Sequence, residues 1–296
     1  MLKNLIYFGS PDFSAQILEK IIQSKLVNVV GVVTTPDKPQ GRKQVLTPSP
    51  VSEMAGNYDL PIYKPNKLDE ANLAHLRLLK PDIFLFVSFG KIVPKTWLES
   101  PALGTFNIHF SLLPKYRGAL CISEAIKNMD IETGVTLMEM DEKLDHGNII
   151  SQAKVTIDMN DDVLKLTTKL TQAAEELLTD KLPEICAQNY TSMPQDESLA
   201  TFTPSHKTIS HASALVPSVK TFNALKGVDA KEVHALIRSL NPEPGAWTTI
   251  VPRQGGAIQI KILKTSLVSD KLIIDTVQIP GKNPTTWKQF LSGHKI

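Results

Sequence analysis

Three side chains of this sequence have the chemistry of acyl transfer to an amine. They are an amide and an imidazole two residues apart, Asn107 and His109, and an isolated carboxylate, Asp145, in Leu144-Asp145-His146-Gly147. An amide can hold a carbonyl oxygen, an imidazole can stabilise the oxyanion of a tetrahedral intermediate, and a carboxylate can help take the proton lost by an attacking nitrogen. Alternation along a strand puts Asn107 and His109 on one face and Ile108 on the other. Singly, each residue also suits an ordinary structural place: Asn107 a strand end, His109 a hydrogen-bonded core position, and Asp145 a turn before Gly147.

The elements that must position them are legible from hydrophobic spacing. Leu5 to Phe8 reads as a short buried strand, Gly9-Ser10-Pro11-Asp12 as a turn, and Phe13, Ile17, Leu18, Ile21 and Ile22 as one side of a helix. The β-branched run Val27 to Thr35 then completes a βαβ unit, which implies a parallel sheet. Further strands are expected at Asp82–Val87, Thr105–His109, Val135–Met140 and Ile149–Ile157, and a helix from about Asp161 to Leu178. The first part of the chain is thus an α/β domain with a Rossmann-like, mostly parallel, doubly wound sheet, whose ligands belong at the carboxyl ends of its strands. The first turn lacks G-x-G-x-x-G and no P-loop motif occurs, which disfavours a dinucleotide or P-loop site. Thr35 to Pro50, rich in proline and carrying Lys38, Arg42 and Lys43, has the composition of a long loop.

Tyr190 to Ser218 is rich in Ser, Thr, Pro and His and reads as a linker. Beyond it come a helix, Ala230–Leu240, and alternating strands at Trp247–Val251, Ala257–Thr265 and Lys271–Gln278, the pattern of a small β-barrel-like domain. The expected organisation is a catalytic domain over 1–189, a linker over 190–206 and a second domain over 207–296. Residues 207–296 hold twelve Lys and Arg against five Asp and Glu, leaving twenty against twenty-five in residues 1–206. A basic second domain beside a mildly acidic first one suits a polyanionic partner such as nucleic acid. Cys121 and Cys186 have neither metal-site nor disulfide-framework spacing, so no metal is expected. No apolar run approaches a membrane span and the chain opens directly on a strand, so a cytoplasmic protein without membrane partners is expected.

The chain resembles the folate-dependent formyltransferase family, and within it the members that act on methionyl-tRNA. The resemblance is carried in order by Phe8-Gly9-Ser10-Pro11-Asp12-Phe13, Thr35-Pro36-Asp37-Lys38-Pro39 with Gly41-Arg42, Ser88 to Pro94, Asn107 to Ala119, Glu132 to Thr136 and Leu144 to Gly147. In the second domain it continues with Ile237-Arg238-Ser239-Leu240-Asn241-Pro242, Gly245-Ala246-Trp247 and Pro280-Gly281-Lys282. It implies 10-formyltetrahydrofolate as formyl donor, methionyl initiator tRNA as acceptor and an OB-like second domain gripping the tRNA backbone. It implies Asn107, His109 and Asp145 as the catalytic set, Ser111, Leu112, Leu113 and Pro114 against the folate, and Phe13, Lys38, Arg42 and Lys43 near the aminoacylated acceptor end. A monomer is expected.

Several residues depart from the family pattern. Leu120-Cys121-Ile122 replaces Ala-Pro-Ile, Phe110 stands where a small residue is usual, and His146 and Asn148 replace Thr and Asp. A pair of strands is missing between Thr265 and Lys271, so a shortened barrel is expected. Two other activities share the same residues: formylation of an amino-sugar nucleotide, and tRNA binding with weak turnover.

Overall fold

The computed structural model describes residues 1–296 except Arg42, His206, Lys207, Ile209, Gln254, Lys295 and Ile296. In chain order its first elements are β1 (Asn4–Gly9), α1 (Asp12–Ser24), β2 (Asn28–Val33), β3 (Lys38–Gln40), β4 (Val45–Thr47), α2 (Pro50–Asn57), β5 (Ile62–Tyr63), α3 (Glu70–Arg77), β6 (Ile83–Val87), α4 (Lys95–Leu98) and β7 (Gly104–His109). There follow α5 (Cys121–Lys127), β8 (Glu132–Glu139), β9 (Ile149–Thr156), α6 (Val163–Cys186), α7 (Ser218–Leu225) and α8 (Ala230–Leu240). The chain closes with β10 (Trp247–Ile250), β11 (Ile258–Val268), β12 (Lys271–Gln278), β13 (Thr285–Thr286) and α9 (Trp287–Gly293). Two compact units result: one of Met1–Ala119, Thr133–Val155 and Thr168–Phe202, the other of Leu120–Glu132, Thr156–Thr167 and Thr203–Ile296.

The first unit is built on a seven-stranded sheet of order β5-β2-β1-β6-β7-β8-β9. Strands β5 through β7 run parallel and β8 antiparallel to β7. All five residues of β6, Ile-Phe-Leu-Phe-Val, are buried, as a central parallel strand covered on both faces requires. The winding reverses between β1 and β6, which places the ligand crevice outside their carboxyl ends. Gly9 ends β1 there because a Cβ would sit 2.0 Å from Ser14 Oγ and 2.9 Å from the Val87 carbonyl. The stretch expected to be a plain loop folds back on itself as the hairpin β3–β4, in antiparallel register from Lys38↔Thr47 to Gln40↔Val45. Its strands are only three residues long and almost wholly exposed, so they leave no alternation to read in the sequence.

The second unit carries a four-stranded antiparallel sheet, β10-β11-β12-β13. Helix α8 lays Val233 and Ile237 on Ile260, Ile262, Leu272 and Ile274 to make its core. Among the described residues β10 and β13 do not pair, so the sheet is an open one. At the missing strand pair, β11 and β12 are joined by Ser269 and Asp270, with φ of 49° and 57°. Positive φ at both central residues is what a two-residue I′ hairpin needs, and it closes the shortened connection. Asn241, 6% exposed, pins the turn that follows α8 by donating to the Ile262 carbonyl at 2.9 Å and accepting from Ala246 N at 3.3 Å. Its place in the Asn241-Pro242 motif is therefore explained by folding.

His234, 1% exposed on α8, bonds Thr265 Oγ1 through Nδ1 at 2.8 Å and the Met159 carbonyl through Nε2 at 2.9 Å. Burial, and then the positive charge of Arg238, push its pKa below the ordinary imidazole value. The unfolded chain therefore takes up this proton first as pH falls, so the contribution is complete above about pH 6.5 and declines below it. Urea denaturation at about pH 7.5 and about pH 5.5 is expected to show lower stability at the acid value, with a smaller difference in His234→Gln. An unchanged difference would remove His234 from this role.

Candidate active site

Asn107 and His109 lie at the carboxyl end of β7, where Asn107 is flanked in register by Phe86 of β6 and Met138 of β8. Ile108, 2% exposed, points to the opposite face. Asn107 is half-buried, and its side-chain amide has no hydrogen-bond partner among the described residues. A partly buried amide left unpaired at a strand end is a donor available to a ligand.

His109 is nearly enclosed, at 6% exposed, and both of its nitrogens are directed. Nε2 lies 2.9 Å from the Tyr116 carbonyl, which can only accept, so Nε2 carries a hydrogen. Nδ1 faces Asp145 Oδ2 at 3.6 Å. The same carboxylate oxygen accepts from Gly118 N at 2.7 Å. Thus one loop, Tyr116 to Gly118, holds the imidazole with a carbonyl and the carboxylate with an amide. Asp145 itself adopts a left-handed φ of 46°, a conformation that costs a non-glycine residue energy and needs outside support.

That loop is anchored by Arg117, whose side chain points inward and is 2% exposed. Its guanidinium donates to Glu197 Oε2 at 3.0 Å and Oε1 at 2.5 Å, and to Gln195 Oε1 at 3.1 and 2.8 Å. The Phe202 ring lies 5.8 Å away on the same group. Thr201 adds hydrogen bonds to Tyr116 N at 2.8 Å through its hydroxyl and to Arg117 N at 2.8 Å through its carbonyl. Residues 190–202, which show no periodicity in the sequence, are therefore fixed against the site. Sequence reasoning missed Gln195, Glu197 and Thr201; Arg117 was visible only as a charged residue inside the motif.

Ser111 to Pro114 form a turn closed by a cis Leu113–Pro114 bond. Ser111 is fully buried, its hydroxyl donating to the Lys115 carbonyl at 2.6 Å, and Leu113 is 3% exposed. Thr136 donates to the Ser111 carbonyl at 2.6 Å and accepts from Leu113 N at 3.1 Å, while Gln152 donates to the Leu113 carbonyl at 2.9 Å. The side chains of Ser111 and Leu113 thus face the protein, and Leu112 and Pro114 are the part-exposed members of the turn. Phe13, on the first turn of α1, meets the edge of Phe110 at 4.9 Å between ring centroids, which ties it to the end of β7. Lys38 and Lys43 are exposed on the β3–β4 hairpin, without a hydrogen bond to Asn107, His109 or Asp145 among the described residues. Arg42 lies outside the described residues.

Residues 3–182 match the formyl transferase family. The chain is 38% identical over 278 residues to methionyl-tRNA formyltransferase of Staphylococcus epidermidis, covering 94% of this chain and 86% of that one. The chain belongs to the methionyl-tRNA formyltransferase family. Identity to the family's Staphylococcus aureus member is likewise 38%, over 279 residues. Among solved structures, the methionyl-tRNA formyltransferase from Clostridium thermocellum aligns with a TM-score of 0.58 at 17% identity, covering 94% of this chain and 99% of that one. A sugar 3N-formyl transferase solved with dTDP and 5-N-formyl-THF aligns at 0.61 and 21% identity, covering 94% and 93%. Both likenesses are of fold.

Set beside the family pattern, the unusual residues have defined places. Phe110 is 5% exposed and packed on Phe13. Leu120 precedes α5 without a side-chain cap and Cys121 opens the helix, both buried. His146 turns to Asp141, 2.5 Å from Nδ1, with Glu197 3.6 Å from Nε2. Gly147 is required by packing, since a Cβ would lie 1.9 Å from the Glu139 carbonyl oxygen of β8. Gly147→Ala must displace the Asp145 turn and is expected to lower kcat at least about tenfold. Steady-state kinetics on the folded variant checks this, and an unaltered kcat would show that the turn absorbs the shift.

Proposed function

We propose that the protein transfers the formyl group of 10-formyltetrahydrofolate to the α-amine of methionyl initiator tRNA. The observation that carries this reading is the convergence of Asn107, His109 and Asp145 at the end of β7 in a chain of this family. The amine nitrogen attacks the formyl carbon, the carbonyl π pair moves to oxygen, and the unpaired Asn107 amide donates to that oxyanion, joined by the His109 Nε2–H as it shifts from the Tyr116 carbonyl. Collapse re-forms the carbonyl and breaks the bond to the folate nitrogen, which gains a proton as the attacking nitrogen loses one. Asp145 holds the imidazole oriented and balances positive charge on it, and so supports that proton movement.

Leu112 and Pro114 are the side chains of the Ser111–Pro114 turn available to a folate, and the turn's buried hydrogen bonds make it a rigid wall. Phe13, Lys38, Arg42 and Lys43 are assigned to the acceptor end of the tRNA. Lys38 also lies close enough to Lys91 that, after the larger effect of burial, its charge pushes the Lys91 pKa down. In the second unit, Lys165, Lys264 and Lys288 border an open groove of about 870 Å³ beside Trp287, which suits a nucleic-acid backbone with a base stacked on the indole. No helix among the described residues is long and apolar enough to cross a membrane.

The test is a competition assay in which purified protein and 10-formyltetrahydrofolate meet charged initiator tRNA together with amino-sugar nucleotides. Formylmethionyl-tRNA is the expected product. Formylation of the sugar alone would replace this reading, and tRNA binding without formyl transfer would reduce the protein to a binding homologue.

A further inference from the structure

Gln195 occupies a position that its own chemistry makes unambiguous. Its Oε1 accepts from Arg117 Nε and Nη2, and its Nε2 donates to the Asp145 carbonyl at 2.8 Å and the Gly147 carbonyl at 2.9 Å. Rotating the amide by half a turn would set its NH2 against guanidinium N–H groups and its oxygen against two carbonyls, so only one orientation satisfies all four bonds. Both donors of the amide end on the turn that carries the Asp145 carboxylate, and that turn is held in a left-handed conformation. At the other end, Arg117 is 2% exposed and belongs to the loop that bonds His109 through the Tyr116 carbonyl and Asp145 through Gly118 N. One half-buried side chain thus joins the loop that holds the imidazole to the turn that bears the carboxylate.

We propose that Gln195 is a positioning residue for formyl transfer, fixing the Asp145 carboxylate at its distance from His109 Nδ1. It touches no reacting atom and acts through the Asp145 turn. The inference rests on the proposed function.

Two substitutions test it. Gln195→Glu keeps acceptors for Arg117 but turns a carboxylate toward the two carbonyls, and Gln195→Met removes all four bonds. In each, kcat is expected to fall roughly 10²-fold, as for a misplacement of about 1 Å, while KM for both substrates stays within about threefold. In an Asp145→Asn background, followed by single turnover with radiolabelled formyl donor, the same substitutions are expected to change the rate less than about twofold, because the group they position is already lost. Hydrogen exchange at the Gly118 amide, which donates to Asp145 Oδ2, is expected to accelerate in both variants and reads the positioning independently of activity.

Unaltered kcat in both variants, losses of equal factor in the two backgrounds, a kcat loss matched by the unfolded fraction, or an unchanged Gly118 exchange rate would each overturn the assignment. Absence of formyl transfer by the unsubstituted protein would instead overturn the proposed function.

Discussion

Asp145→Asn is expected to lower turnover about a thousandfold, with binding of charged tRNA nearly unchanged. The asparagine keeps the shape of the carboxylate, and its oxygen can still accept from Gly118 N, so the turn remains closed. What changes is the charge facing His109 Nδ1. With the amide oxygen held by Gly118 N in the place of Oδ2, Nδ1 faces a neutral acceptor, and the charge that stabilises an imidazolium during proton movement is gone. His109→Ala is expected to cost as much, for loss of the ring itself. Single-turnover rates with saturating folate, alongside tRNA binding measured by filter retention, separate the effects. Turnover near normal in either variant would contradict the assigned roles.

The largest effect on stability is expected from Phe8→Ala. Phe8 is fully buried in β1, stacked on Phe86 at 4.0 Å and 11° and surrounded by Phe84 at 4.9 Å, Phe89 at 5.5 Å and Trp97 at 6.3 Å between centroids. Truncation removes a central ring from a rigid cluster that has few ways to collapse, at a cost of about 3–5 kcal/mol. For a unit of this size that lowers the midpoint of thermal unfolding by about 10 °C. Calorimetry checks it, and a shift below about 3 °C would mean that the cluster repacks around the void.

How far the sequence spoke for itself varies with the length of each regular pattern. The unit β1–α1–β2 is legible because β1 is an unbroken apolar run and α1 buries Ile17, Leu18 and Ile21 on one face. Helix α6 runs to Cys186, past the expected end at Leu178, carrying Pro183 within it. Strand β13 and helix α9 escaped notice, since two residues of strand and seven of helix give too short a period to count. The pairing of Asn107 with His109 followed from strand alternation. Their connection to Asp145 did not, because it passes through the Tyr116 carbonyl and the Gly118 amide, and main-chain groups leave no mark on residue type. Gln195 and Glu197 sit 78 and 80 positions from Arg117, in a stretch whose polar composition resembles any exposed connection.

The strap formed by residues 190–202 is also the last part of this arrangement to be synthesised. A ribosome delivers Asn107, His109 and Asp145 early, and the sheet beneath them has all its strands once residue 156 is made. Gln195 reaches back 50 positions to the Asp145 carbonyl, and Thr201 reaches back 85 to Tyr116 N, so these contacts close late and over long loops. A nascent chain halted at residue 182 would own Asn107, His109 and Asp145 but lack the Gln195 bonds to the carboxylate turn and the Thr201 bonds to the loop beside it. The bracing of the Asp145 turn therefore arrives with the strap, fifty residues after Asp145 itself has been synthesised.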